Sequence, residues 1–593
     1  MDRCLLLIFA ISFPAGFITA SKTDSNWSAF SSPLLAFFNH HPSAGLPASR
    51  PPRRHRKVLM HHPSSDGPAP STMSECQRMV LIGGGHAHVQ VIKALNARSR
   101  PANLHVTLID LQSSASYSGM VPGCVAGLYS LDQVQIALDS LADWSGIDFV
   151  CGRVVGMLFD KNDERNGRKS VLVEVTDDDG NVIRREIPFD VVSIDIGSTT
   201  RNFTSTPGAE RYTISTRPIS DLVRRIQYED SVIHEKLKTD ESSDVIKVVV
   251  VGGGAAGIEL SLALRARWND ILDSKLTVTL IDSNDVLLPS ETSACCSALR
   301  CIMKKYNIEV RHNLVVDEVT SSHIHVNSNK NNVGSLQGKV PYTHCIWATG
   351  AEAHTLAWDL HKDSGLDVST DRGWICVNHH LQSISHPSVF AAGDCCEIMI
   401  ENRKSPPKAG VYAVRSGPIL IENLTRFLGV NPHSQSDVSA NPNDLIVYHP
   451  QDDFLKLLMC GDGTALGFRF GIPFYGKWVW ELKDHIDTMF MDLFRLEKLS
   501  QSDTTKSTPT AEEEEGVGVK YDTSQYDRHE SVKERMNAED AGAFLLRRDD
   551  EVDFQTAWSI LREMMADEYY KEDVLSAIIR SPDNWWKELF VTS

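Results

Sequence analysis

The stretch MVLIGGGHAHVQVIKAL, residues 79–95, followed after a turn by VTLID at residues 106–110, decides how the rest of the chain is read. An apolar run enters a glycine cluster, a helical pattern follows, and a second apolar run stops at an acid. That order is a β-α-β unit with a phosphate-binding turn. Gly83 permits the tight turn and, beyond Gly84, Gly85 lets a pyrophosphate approach the backbone, where unpaired N–H groups at a helix start favour negative charge. Asp110 closes the second strand, where a carboxylate can accept hydrogen bonds from ribose hydroxyls. The third glycine of the G-x-G-x-x-G pattern is His88 here, so the motif is degenerate. His86 and His88 are expected to shape the turn or face phosphate rather than to hold a metal.

Working outward, residues 245–282 repeat the theme with a complete fingerprint: an apolar strand, then Gly252, Gly254 and Gly257, a helix, and VTLID ending at Asp282. Strand, turn, helix and terminal acid all sit where the mechanism needs them. Asp282 favours a free 2′-hydroxyl over a 2′-phosphate, hence NADH over NADPH. Glu259, at the start of this second helix, is a candidate for orienting nicotinamide or supporting a flavin. The run CIWATG ends a strand at Gly350, VVSIDIG ends one at Gly197, and VFAAGD carries Gly393 and Asp394. One dinucleotide fold of roughly 150 residues would not need two fingerprints. The predicted class is α/β, with two Rossmann-like dinucleotide-binding domains, the NAD domain inserted in the FAD domain. The boundaries read as FAD-binding parts at 74–205 and 356–430, and an NAD(P)H-binding domain at 206–355. A C-terminal α+β interface region at 431–500, an acidic linker at 501–527 and a helical tail at 528–593 follow. Asp394 is placed to reach the ribityl and pyrophosphate region of FAD. Residues 147–157 read as one strand that holds the adenine end through backbone around Val154. Residues 478–494 read as an amphipathic helix with Leu482, Ile486, Met489, Phe490 and Phe494 on its apolar stripe.

The 593 residues carry a formal charge of −18 and 42% hydrophobic residues, enough for full cores and against a nucleic-acid partner. Twelve cysteines without a C-x-x-C pair or zinc-like spacing fit a reducing compartment and no metal site. At the N-terminus Arg3 precedes an apolar stretch and a small-residue cleavage site, Ile18-Thr19-Ala20; from residue 21 to residue 70 the only acids are Asp24 and Asp66. A secretory-type segment ahead of a basic, acid-poor stretch, together residues 1–73, reads as a bipartite organellar presequence, plastid ahead of mitochondrion.

In combination, the two glycine fingerprints, Ala348-Thr349-Gly350 and Ala392-Gly393-Asp394 resemble the two-dinucleotide-binding flavoproteins, the pyridine nucleotide-disulfide oxidoreductase superfamily. Within it the chain looks closest to type II NADH dehydrogenases and to the flavoprotein domain fused ahead of selenophosphate synthase. GGGHAHV at 83–89, YSGMVPG at 117–123, PKAGVYAVR at 407–415 and the segment 454–491 carry that likeness, which spans about residues 79–494. The resemblance implies non-covalent FAD, NAD(P)H as hydride donor and a second acceptor, with a quinone among the candidates. It also implies Ala409 beside the flavin and a C-terminal region resting on a membrane as a peripheral contact, although the apolar stripe of residues 478–494 equally suits packing on the flavin domain or on a second subunit, as in a homodimer. Where type II dehydrogenases carry a glutamine-rich quinone motif, this chain has Lys408-Ala409-Gly410-Val411-Tyr412, so the sequence itself names no acceptor. Lys408 reads as a positive charge near the reduced flavin or as a solvated loop lysine. Cys124 reads as packing against the ring; the rival is a sulfide:quinone oxidoreductase-like nucleophile with Cys151, Cys395 and Cys396 as partners. Cys296 and Cys301 fall about 140° apart on a helix and read as buried small apolar residues without dithiol chemistry. A third reading, of a different class, is an NADH-sensing flavoprotein that docks through its helical tail.

Overall fold

The computed structural model describes residues 76–496, apart from 160–168, 178, 239–244, 329–337, 401–403, 430–444, 452 and 470. The presequence, the acidic linker and the helical tail expected from the sequence lie outside these residues. Two five-stranded parallel sheets organise the rest; the same four-strand order recurs in both, and only the outermost strand differs, coming last in the chain in the first sheet and first in the second. In the first, Gln77–Ile82 lies at the centre, with Leu104–Asp110 and then Asp148–Cys151 on one side. Val191–Ile194 and then Val389–Ala391 lie on the other. In the second, Ile246–Val251 is central, flanked by Leu276–Ile281 and Ile308–Arg311 on one side and by His344–Trp347 and Ile214–Ser215 on the other. Every strand of the second sheet falls between the fourth and fifth strands of the first. The second unit is thus inserted in the first, and the chain returns at Val389–Ala391 to complete the sheet it began.

Local chemistry explains why these runs become central strands. Val248, Val249, Val250 and Val251 are all buried, as are Met79, Val80, Leu81 and Ile82, because both faces of a parallel sheet are covered. Each unit adds a three-stranded antiparallel sheet, Arg153–Phe159 with Lys169–Thr176 and Val182–Pro188 in the first, and Leu314–Val319 with His323–Ser328 and Gly338–Pro341 in the second. A third such sheet, Lys456–Met459 with Ala465–Arg469 and Ile472–Gly476, leads into the helix Lys477–Asp492.

Three expectations need correcting. Residues 147–157 are two strands rather than one: Asp148–Cys151 ends the first parallel sheet and Arg153–Phe159 opens an antiparallel one. The break is at Gly152, where a side chain would collide with Val173 and Val175. The amphipathic helix is present, but Met489 is 42% exposed while Lys483 and Asp487 are buried among its apolar residues. On the helix Ser293–Lys305, Cys295 is the buried residue, whereas Cys296 is half-buried and Cys301 exposed; no disulfide joins them.

Candidate functional site

The first glycine turn is built around a residue the sequence reading passed over. Gly83 has φ +91°, and a Cβ there would overlap the backbone of Asp195. Gly84 donates its N–H to Asp110 Oδ2 at 2.7 Å. Asp195, four residues past the start of Val191–Ile194, turns its carboxylate under the turn and accepts the N–H groups of Ala87 (2.9 Å) and His88 (3.3 Å). Any side chain at Gly85 would overlap that carboxylate. So Gly85 is glycine first because Asp195 lies against it, and not only to admit a pyrophosphate. Burial pushes the Asp195 carboxyl up to about 7, with Asp394 and Asp110 adding to the effect and the two N–H donors opposing it. Asp110 is raised by burial as well.

His88 explains the missing third glycine. Its Nδ1 lies 2.6 Å from the Gly83 carbonyl and its Nε2 2.8 Å from Ser193 Oγ. A carbonyl only accepts, so Nδ1 carries the proton and Nε2 takes the serine hydroxyl's. Burial drives this imidazole down to about 4, and it stays neutral. The usual close helix–strand contact is replaced by a side-chain bridge.

The remaining first-site candidates gather at the same sheet end. Gly197 (φ +65°) and Gly393 (φ +72°) turn the chain after their strands, and Asp394 accepts from Ser198 Oγ at 3.3 Å with Arg217 at 3.9 Å. Ala409 precedes the helix Gly410–Phe427, whose start no side chain caps, and Gly410 approaches the His86 ring. The His86 ring lies 5.1 Å from Tyr117, which stacks on Phe490 at 4.9 Å. Val154 sits beside a bulge of its strand, and Gly152 donates to the Asp110 carbonyl at 2.9 Å, which holds that strand next to Asp110. Lys408 is no solvated lysine: its ammonium donates to the Cys396 carbonyl and lies 4.3 Å from the Trp374 ring centre.

In the second turn, Gly252 (φ +116°) presses on the Ala348 carbonyl, and a side chain at Gly257 would strike Gly252. Gly350 (φ +105°) follows the neighbouring strand. A Cβ at Gly254, by contrast, meets nothing within 4 Å, and the helix Ala255–Leu272 starts exposed there. Asp282 is 2% exposed; its Oδ1 accepts from Asn284, while its Oδ2 is buried without a partner. An open turn beside a carboxylate at the end of the second strand fits a dinucleotide whose phosphates take the turn and whose ribose takes the acid.

The two units meet at a buried charged cluster. Glu259, on the second helix, accepts the Met459 N–H at 3.0 Å, and burial raises its carboxyl to about 7. Lys483 and Asp487, from Lys477–Asp492, bond each other at 2.8 Å, and Lys483 also donates to the Gly119 carbonyl at 2.8 Å. Asp487 also bonds the Tyr117 side chain, and Asp484 takes the Tyr129 hydroxyl at 2.6 Å. Lys483, Asp487 and Asp195 are the residues sequence reasoning missed. The available signal was a Lys–Asp pair four apart inside an apolar stripe, and an acid at the end of a buried strand.

Among the described residues the cysteines show no redox pair. Cys124 is buried on Val121–Ala126, its thiol raised by burial with Arg267 partly offsetting. Cys395 and Cys396 are buried with raised thiols, Cys396 to about 12.

Residues 77–417 match the pyridine nucleotide-disulphide oxidoreductase family. The chain belongs to that family. Its members' architecture, two dinucleotide units with one inserted in the other, is the one described above, and the chain is an oxidoreductase that uses FAD and NAD(P)H. Among curated proteins it is similar to a type II NADH:quinone oxidoreductase of Haemophilus influenzae, 24% identical over 361 residues, covering 56% of this chain and 77% of that protein. A probable NADH dehydrogenase of Dictyostelium discoideum is 22% identical over 390 residues, covering 63% and 79%. In fold, NDH2 from Plasmodium falciparum in complex with NADH aligns over 72% of this chain and 98% of that one, with a TM-score of 0.58 at 17% identity. A sulfide:quinone oxidoreductase from Aquifex aeolicus gives 0.54 at 15% identity, over 73% and 96%.

Proposed function

We propose that this protein is an NADH dehydrogenase of the type II kind, taking hydride from NADH at the second fingerprint and delivering electrons to a quinone. The observation that carries the donor side is Asp282, whose carboxylate ends the second strand directly beneath Gly253 of the glycine turn, a place that suits a ribose hydroxyl and repels a phosphate. The quinone is supported by what the Haemophilus relative is called and by a cluster that can manage protons beside the flavin region. FAD, held by the first fingerprint, supplies the hydride-accepting ring. The protein's own part is orientation and charge. His86, Tyr117 and Phe490 wall one side of the flavin region, and Gly410 opens an uncapped helix towards it. Glu259, held near neutrality between burial and Lys483, can take or give a proton at working pH.

A lipid-soluble acceptor brings with it a peripheral contact with a membrane surface, and a homodimer formed through the C-terminal region belongs to the same proposal. Among the described residues no helix is long and apolar enough to cross a membrane. The organelle is proposed from residues 1–73; relatives in Schizosaccharomyces pombe and Yarrowia lipolytica are described as mitochondrial, while the plastid rests on the presequence composition alone. A fluorescent fusion of residues 1–73 distinguishes the two.

The decisive experiment is anaerobic stopped-flow reduction by NADH, followed by mixing with a panel of quinones and soluble acceptors. Fast flavin reduction and fast quinone-dependent reoxidation are expected. A flavin that NADH does not reduce, or that soluble acceptors alone reoxidise, would defeat the proposal. The sulfide-oxidising reading is disfavoured by the raised Cys124 thiol, because the thiolate is the nucleophile.

A further inference from the structure

The two glycine turns are matched in backbone and differ in one side chain. The Asp195 N–H donates to the Ile82 carbonyl at 2.9 Å, and the Ala348 N–H to the Val251 carbonyl at 2.8 Å, so the two residues follow their strands at the same place. A Cβ at Gly83 would strike the Asp195 carbonyl, and one at Gly252 the Ala348 carbonyl. The second turn thus has a methyl group where the first has a carboxylate. That carboxylate and Asp110 occupy the donors a pyrophosphate would seek. The Gly84 N–H goes to Asp110 Oδ2, the Gly85 N–H to the Asp195 carbonyl at 3.1 Å, and the Ala87 and His88 N–H groups to Asp195 Oδ2. Gly83 and Val89 donate to the Ile109 and Gly85 carbonyls, so among residues 83–89 only the His86 N–H is without an acceptor. The charges around Asp195 do not favour a further anion. Asp110 and Asp394 face it as like charges, and burial lowers His86 and His88 towards the neutral form. Arg217 faces Asp394, Lys408 faces the buried thiols of Cys395 and Cys396, and among the described residues no cation pairs with Asp195 itself.

We propose that Asp195 is a positioning residue for FAD that works as the neutral acid: the cofactor binds together with a proton, which neutralises Asp195 while its carboxyl goes on accepting the Ala87 and His88 N–H groups. The assignment rests on the reading that the first fingerprint holds FAD. Each phosphate of the pyrophosphate is an anion, and an ionised Asp195 beneath the same turn would repel it in a place shielded from water. The neutral acid leaves the turn's geometry in place and removes the repulsion. The proton comes from solvent and returns there when FAD leaves, so the two binding events are linked. Burial sets the carboxyl at about 7 before any cofactor charge is added. Below that value the acid is already neutral and pH has no effect on FAD; above it each FAD must bring its own proton, and affinity falls as pH rises. The second turn, with Ala348 in the corresponding place, has no such requirement.

The test is dilution of the full-chain holoenzyme at pH 6, 7, 8 and 9, with released FAD read by its fluorescence. The wild-type dissociation constant should be level between pH 6 and pH 7 and then rise about tenfold per unit. Asp195→Asn keeps an oxygen for the two N–H groups and cannot ionise. It should hold FAD at pH 6 as wild type does and show no rise up to pH 9. A wild-type constant that is level throughout would overturn the assignment. So would Asp195→Asn that keeps the wild-type slope, which would move the proton to Asp110 or another group. Asp195→Asn that carries no flavin at pH 6, where acid and amide should be equivalent, would overturn it too. Wild type that binds no FAD at any pH would overturn the reading of the first site itself.

Discussion

His88 shows how one side chain can occupy a position reserved for glycine. It bridges Gly83 and Ser193 and leaves no room that a glycine would fill. Restoring the fingerprint by His88→Gly should therefore destabilise the flavin-loaded protein. Two buried partners lose their hydrogen bonds, a cost of about 1–3 kcal/mol each before any cavity term. Urea unfolding followed by flavin release measures it; an unchanged midpoint would show that the bridge carries nothing. Asp195 supplies a pH dependence. Unfolded, its carboxyl loses its proton near the ordinary 3.8; folded, near 7. Between these values the folded state holds a proton that the unfolded chain has lost, so this residue's contribution is fully present below the lower value and is lost as pH rises through the upper one. The melting temperature of Asp195→Asn relative to wild type should therefore climb from about pH 5 to about pH 8. A constant difference over that range would mean that Asp195 titrates normally. Cys124→Ser should leave flavin reduction by NADH within about threefold of wild type, a change of under about 1 kcal/mol. At this scale the sequence displayed the broken motif but not its repair, because Ser193 and Asp195 lie over a hundred positions from the turn and only the sheet brings them there.

The helix Lys477–Asp492 carries the lesson of the next scale. Helical periodicity located it correctly, yet periodicity alone assigns charges to water. Here Lys483 and Asp487 point inward, because the Gly119 carbonyl, Glu259 and the Tyr117 side chain solvate them in place of water. No pattern along one element reveals partners on two others. Lys483→Met would strand two carboxylates in a buried place, and breaking a buried ion pair from one side costs about 3–5 kcal/mol. The expected result is a lowered melting temperature together with slower NADH-driven turnover above neutral pH, where Glu259 would lose its proton without the lysine beside it. Unaltered stability and an unaltered pH profile would show that the cluster is solvated by other means. Strand limits obeyed the same logic: residues 147–157 look continuous in hydropathy, and Gly152 divides them only because Val173 and Val175 leave no space for a side chain.

At the scale of the whole molecule, the repeated β-α-β unit was legible because each unit announces itself by a glycine turn and a terminal acid, and the insertion followed from where the third landmark fell. What the repetition hid is that the two turns are built differently. In the first, Asp195 fills the space beneath the helix start and ties the turn to the rest of the sheet, and Gly393 packs against the same carboxylate. In the second, the equivalent space at Gly254 is open and the helix starts exposed. A closed turn suits a cofactor that stays, and an open one a substrate that must leave after every cycle. The two equivalent glycines should then respond differently to the same methyl group. Gly85→Ala forces the Asp195 carboxylate aside and should yield protein without bound FAD. Gly254→Ala meets no protein atom, so flavin content and melting temperature should match wild type. The added methyl would intrude only where the nucleotide phosphates approach, raising KM for NADH about tenfold, equivalent to about 1.4 kcal/mol. Absorbance of the purified variants and steady-state kinetics decide it. Full flavin in Gly85→Ala, or flavin loss in Gly254→Ala, would show that the two turns do not divide cofactor and substrate in this way.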